Sequence, residues 1–275
     1  MTSRLFAALG ALVALVWTVG ASAGPVLDRI KERGVVRVAT DPAYPPQSVQ
    51  KPDGSFEGFD IDVALEIGRR LGVAVEFVTP AWEIITAGNW GDRWDLSVGS
   101  MTPTKERARV LDFPAIYYYT PASFVTHEAC DFAEVADLND KVIGTCGGCT
   151  YEFYLRKNLT IDAEGVPPFE YLVTPAEIRT YETDTNVFDD LRLGCGVRLD
   201  AGMSALPTIM EAIKAGYPLK VVGEPAFFEP LAVAIDKGDA EFAAELARIV
   251  AEMHEDGTLT RLSMKWYGVD LTKAR

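Results

Sequence analysis

Strand and helix alternate along this chain, and about halfway they begin to alternate again. A short helix with Lys and Arg at its end (residues 26–33) precedes the β-branched strand 35–39. Residues 60–71 place Ile61, Ala64, Leu65, Gly68 and Leu71 on one helical face. There Asp60 is expected as N-cap and Gly72 as terminator. Strands follow at 73–78 and 96–100, the second entered from a Gly/Trp-rich stretch, 88–94. The pattern restarts with strands at 122–127 and 141–145, helices at 151–157 and 189–193, a strand at 199–203, a helix at 207–215 and strands at 219–222 and 231–235. Two helices close the chain. Asp239 caps the first, whose inner face is Phe242, Leu246, Ile249, Val250 and Met253, and Leu259, Leu262 and Trp266 line the second. Alternation of this kind builds a mostly parallel sheet covered on both faces. Two such units without a Pro/Ser-rich linker are expected to be lobes joined by crossing strands, with strand carboxyl ends facing a shared cleft.

The first 23 residues read differently. Arg4 precedes an apolar run over residues 5–19, and Ala21-Ser22-Ala23 has the small side chains of a secretory cleavage site. Cleavage after Ala23 is expected, with the mature chain in the periplasm. Arg4 is the one charged side chain of that leader, so removing it takes the formal charge from -14 to -15. Such a surface repels nucleic acid and anionic lipid. The four cysteines, Cys130, Cys146, Cys149 and Cys195, are an even set in an exported chain, which points to two disulfides. With two separated histidines, His127 and His254, no metal site is expected, and nothing calls for a cofactor.

Four stretches resemble the family 3 solute-binding proteins of polar amino acid ABC importers. They are Asp41-Pro-Ala-Tyr-Pro-Pro46 with Gly58-Phe-Asp-Ile-Asp62; Trp94-Asp-Leu-Ser-Val-Gly-Ser-Met-Thr102 with Glu106-Arg107 and Asp112-Phe113; residues 138–150; and Asp256-Gly-Thr-Leu259 with Lys265-Trp-Tyr-Gly268. The resemblance implies an α/β, two-lobed periplasmic binding protein fold of type II, its lobes joined by two hinge strands. It places one lobe at 24–120 and 229–275 and the other at 121–228. It implies a monomer that captures a small carboxylate-bearing solute and hands it to a membrane-embedded ABC permease, without catalysis.

The same resemblance assigns the site. Arg107 clamps the solute carboxylate, a task for which a planar fork of donors suits Arg and not Lys. Ser100 and Thr102 complete the anion site from the end of a strand. Thr150, at a helix start in the second lobe, supplies the facing piece, where it also serves as N-cap. Tyr44 and Trp82 are aromatic walls. Asp41 contacts a cationic group or caps its own loop.

Ser204 departs from the family pattern, which carries an acid there for the solute's ammonium. A hydroxyl cannot neutralise a buried ammonium. Either Glu83 or Asp184 substitutes, or the solute lacks a free α-ammonium. Cys146-Gly-Gly-Cys149 has the spacing of a redox motif, but a structural pair in a cleft-facing loop is the reading preferred here. On the implied topology, Cys130 and Cys195 share the pole far from the cleft, while Cys146 and Cys149 follow a cleft-facing strand end. Opposite ends of a five-residue strand are roughly 15 Å apart, beyond the ~7 Å Cα separation a disulfide spans. The pairing expected is therefore Cys130–Cys195 and Cys146–Cys149. Alternatives are a periplasmic dehydratase on the same fold, against which Ser204 argues, and a ligand-sensing subunit.

Overall fold

The computed structural model describes residues 26–273, so the leader assigned to residues 1–23 lies outside the described residues. Among the described residues, no helix is long and apolar enough to cross a membrane.

The strands are β1 (Val35–Ala39), β2 (Ala43–Tyr44), β3 (Ser48–Gln50), β4 (Phe56–Glu57), β5 (Ala74–Val78), β6 (Leu96–Met101), β7 (Leu111–His127), β8 (Val142–Cys146), β9 (Glu177–Tyr181), β10 (Ala201–Ala205) and β11 (Leu219–Asp236). The α-helices are α1 (Val26–Arg33), α2 (Phe59–Leu71), α3 (Trp82–Thr86), α4 (Thr150–Leu155), α5 (Asp184–Leu191), α6 (Leu206–Lys214), α7 (Ala240–Glu255) and α8 (Thr258–Tyr267). Eight strands form one sheet in the order β5-β1-β6-β11-β7-β10-β8-β9, and β2-β3-β4 form a small second sheet.

Two long strands organise the molecule. β7 and β11 pair antiparallel from Leu111↔Asp236 to His127↔Leu219. At one end β6 pairs with β11 at Ala232 and Ala234. At the other, β10 pairs with β7 over Ala122–Val125. Between these ends, Tyr119–Pro121 faces Phe228–Pro230 with no third strand alongside. Pro121 and Pro230 fit there because a residue without an N–H is tolerated where no ladder is lost. The ribbon therefore narrows to two strands at its middle, where bending disrupts the fewest contacts.

The apolar cores divide at the same place. One gathers Ile30, Val36, Phe59, Ile67, Tyr117, Leu231 and the inner faces of α7 and α8. Its neighbour holds Trp90, Trp94, Ile85 and Leu111. Beyond the ribbon's middle, Phe124, Ile143, Tyr154, Met203 and Phe227 form one cluster, and Val125, Phe188, Leu199 and Ile209 another. The architecture is the mixed α/β, two-lobed fold expected.

Several elements differ from the sequence reading. Residues 122–127 are the end of a 17-residue strand, and 219–222 and 231–235 belong to one 18-residue strand. Tyr117, Tyr118 and Phe227 are buried along these strands, and Phe59 packs on the first two, so pairing continues through segments that carry no simple alternation. Asp60 does not cap α2; Gly58 occupies that position, and the Asp60 carboxylate is buried, accepting from Ser100 Oγ at 2.7 Å and Tyr117 Oη at 2.7 Å. Thr150 is the first residue of α4, with Cys149 before it as N-cap. β9 and α3 carry no strong periodicity and were not expected. Asp239 caps α7, accepting from Phe242 N at 2.9 Å.

Candidate functional site

The parallel strands β1, β6, β8 and β9 end toward the ribbon's middle, and the loops after them converge there. Asp41 follows β1, Thr102 and Arg107 follow β6, Cys149 and Thr150 follow β8, and Glu182 and Asp184 follow β9. One cavity is lined by Asp41, Tyr44, Trp82, Ser100, Thr102, Arg107 and Thr150, with Gly99, Cys146, Cys149, Tyr151, Glu182, Asp184 and Glu229. It encloses about 40 Å³, room for a few water molecules. A larger groove, about 550 Å³, lies on the other face of the ribbon: Phe228 and Pro230 line it, whereas Glu229 between them lines the cavity, as strand alternation requires. The groove's walls are largely apolar, and the buried charges gather in the smaller cavity.

Arg107 lines the cavity with 4 % of its surface exposed. Its Nη1 donates to Thr102 O and its Nη2 to Gly148 O, each at 2.9 Å. Nε is buried without a hydrogen-bond partner among the described residues. The guanidinium lies 5.3 Å from the centre of the Trp82 ring. Trp82 Nε1 also donates to Gly148 O, at 3.3 Å. Burial lowers the Arg107 pKa to about 10, opposed by the nearby Glu229 carboxylate, so the group remains a cation at neutral pH.

Glu229, on β11, was not singled out from sequence. Its Oε1 accepts from Thr102 Oγ1 at 2.9 Å and from Thr150 Oγ1. One oxygen thus ties the end of β6 to the start of α4. Burial raises its pKa, while the two threonine hydroxyls and Arg107 act the other way. A lone acid within the apolar run 226–235 was the available sign.

Across the cavity the acids face one another. Asp184, at the start of α5, is buried, and its Oδ1 has no hydrogen-bond partner. Burial raises its pKa to about 7; the Ser204 hydroxyl lowers it, and Asp41 and Glu229 raise it further. Ser204 itself is buried on β10 with no completed hydrogen bond. It stands beside Asp184 and is not among the residues that line the cavity. Asp41 Oδ1 accepts from Ala43 N at 2.7 Å, which caps its loop, and burial and Glu182 raise its pKa. Tyr44 meets Tyr151 hydroxyl to hydroxyl at 3.3 Å. Glu83, the other acid considered, is exposed on α3 and lines nothing in the cavity. Ser100 reaches the cavity wall, but its hydroxyl is engaged by Asp60 and Tyr118 and its N–H by Tyr117, which leaves neither for an anion.

Cys130 and Cys195 are joined with Cα atoms 5.2 Å apart, and Cys146 and Cys149 with Cα atoms 5.6 Å apart. No group of three or more His, Cys, Asp or Glu side chains arranged to hold a metal occurs among the described residues.

Two lobes on a crossing ribbon, with a charged cavity at its middle, define a protein of the type II periplasmic binding class. Residues 36–269 match the model of the bacterial extracellular solute-binding proteins, family 3, and the chain belongs to that family. It is 30% identical over 251 residues to the L-cystine-binding protein of Escherichia coli K12, covering 90% of this chain and 88% of that one. It is 28% identical to the L-arginine-binding protein of Pseudomonas aeruginosa PAO1, over 86% and 89% of the two chains. Among solved structures, an ancestral amino acid-binding protein described as a precursor of cyclohexadienyl dehydratase superposes with a TM-score of 0.74 at 31% identity, covering 88% of this chain and 99% of that chain.

Proposed function

We propose that this protein is a periplasmic solute-binding protein that captures an amino acid carrying a second basic group and delivers it to an ABC importer. The observation that carries the reading is the charge layout of the cavity: one buried guanidinium with Glu229 beside it, and three further carboxyl groups, Asp41, Glu182 and Asp184. A carboxylate beside Arg107 gains charge-assisted bonds. A cation beside Asp184 is a partner for an oxygen that has none among the described residues, and relieves repulsion among neighbouring acids. Ser204 then needs no charge of its own, because Asp184 supplies it, and a solute with a free α-ammonium is accommodated. Tyr44 and Trp82 serve as walls.

The enclosed space is smaller than an amino acid, so solute enters when lobes 24–120 with 229–275 and 121–228 part about the ribbon's two-stranded middle. The leader is removed after Ala23, and the mature protein works as a monomer. The relatives named as cystine- and arginine-binding proteins support this solute class, since both ligands carry a second cationic group. A thermal-shift screen of the twenty amino acids, ornithine and cystine tests the reading. Arginine, ornithine, lysine or cystine is expected to raise Tm most, and a largest shift with glutamate or a neutral aliphatic amino acid overturns it. The buried Glu229 acid also supports a second reading, a dehydratase, which mass spectrometry separates: a dehydratase returns its substrate lighter by a water, and by carbon dioxide too where a ring carbon bearing a carboxylate becomes aromatic, whereas a binding protein returns it unchanged.

A further inference from the structure

The Cys146–Cys149 disulfide does more than close a tight turn. Both sulfurs belong to residues that line the cavity. The loop between them carries Gly148, whose carbonyl accepts from Arg107 Nη2 at 2.9 Å and from Trp82 Nε1 at 3.3 Å. Those two side chains come from the opposite side of the cavity, after β6 and on α3. Gly148 holds that carbonyl in place through a φ of +69°, which favours glycine. Its N–H donates to Glu152 Oε2 at 2.8 Å, and the Gly147 N–H to Tyr181 O at 2.8 Å. Two glycines in succession are the most pliable residues a chain can use, and here they hold a carbonyl that orients the clamp. The disulfide supplies the missing stiffness.

We infer that the Cys146–Cys149 disulfide is a positioning element of the solute clamp and places it under redox control. In the oxidised protein Gly148 presents an ordered carbonyl that the Arg107 fork and the Trp82 ring meet as the lobes close. A dithiol reductant transfers two electrons and two protons to the bond, leaving two cysteine thiols and an oxidised, cyclic reductant. The loop then relaxes, closure must order it as well as the two side chains it meets, and affinity falls. The Cys130–Cys195 bond, whose residues line neither the cavity nor its loops, has no such effect on affinity. The inference rests on the assignment of Arg107 as carboxylate clamp.

The test compares oxidised protein, dithiothreitol-treated protein and the double variant Cys146→Ser/Cys149→Ser. Thiol counting by mass spectrometry establishes which bonds are intact. The probe is L-arginine, followed by calorimetry. Reduction and the double variant are each expected to weaken binding about tenfold or more, the cost of ordering the loosened loop on closure, and reoxidation is expected to restore the wild-type protein. In the double variant, Arg107→Ala should cost less than in the oxidised protein, a coupling that a merely structural bond would not produce. Equal affinity in all forms overturns the inference. Hydrogen exchange of the Gly147 and Gly148 amides, measured without solute, judges the positioning independently. If nothing binds L-arginine, faster exchange on reduction upholds the disulfide's role in the loop and the solute assignment fails alone, whereas unchanged exchange overturns the inference.

Discussion

Binding of a cationic solute should release a proton from Asp184. Burial and the neighbouring acids raise this carboxyl to about 7 from an ordinary 3.8. A cation placed against it restores the ionised form and returns its pKa toward or below the ordinary value. The proton bound in the solute-free protein must then leave. From a pKa of about 7, release approaches one proton per solute at pH 5.5, about one half at pH 7 and almost none at pH 8.5. Affinity falls accordingly, by roughly 30-fold between pH 8 and pH 5.5, or about 2 kcal/mol. Calorimetric titration of L-arginine in two buffers of different ionisation enthalpy reads the proton count directly. Asp184→Asn should abolish the pH dependence and weaken binding at pH 8 by about 2–5 kcal/mol, the usual cost of removing one partner of a buried charge pair. Binding at pH 7 with no buffer-dependent heat, or an Asp184→Asn variant with an unchanged pH profile, would refute the pairing of Asp184 with the solute's cation.

The same shift sets the stability of the solute-free protein. A carboxyl that ionises near 4 unfolded and near 7 folded favours folding less as pH rises through that window, by about 4 kcal/mol for Asp184 and a similar amount for Asp60, so urea midpoints should fall from pH 4.5 to pH 7.5. Arg107→Ala should lose about 2–5 kcal/mol of solute binding, and Arg107→Lys should recover part of it, as titration calorimetry will measure. Glu229→Gln leaves acceptors for Thr102 and Thr150 but removes a negative charge beside Arg107, so neutral amino acids should gain affinity relative to L-arginine; a ratio of Kd values that stays put argues against that role. Cys195→Ser opens a loop of 65 residues and should cost about 4 kcal/mol in the chain-entropy model, visible as a lower Tm, with little change in solute affinity.

The amino-acid order by itself determined the class of fold. Two runs of alternating strand and helix, with apolar faces such as Phe242, Leu246, Ile249, Val250 and Met253 at helical spacing, leave few arrangements other than covered sheets. Arg107, Thr102, Thr150, Tyr44 and Asp41 were singled out as candidates because motif order matched a known family, and they line one cavity. The tertiary structure decided which groups face each other. Glu229 sits 122 residues from Arg107 and Asp184 sits 143 from Asp41, yet all four meet in one cavity. No local pattern records such a meeting, because strand alternation says only that Glu229 points away from Phe228 and not which lobe lies there. The same holds for Ser204 and Ser100. Their hydroxyls look available in sequence, but Ser100 is taken by Asp60 and Tyr118, and Ser204 stands beside Asp184. A side chain's type reports the bonds it can make, and only packing determines which partners come within about 3 Å to make them.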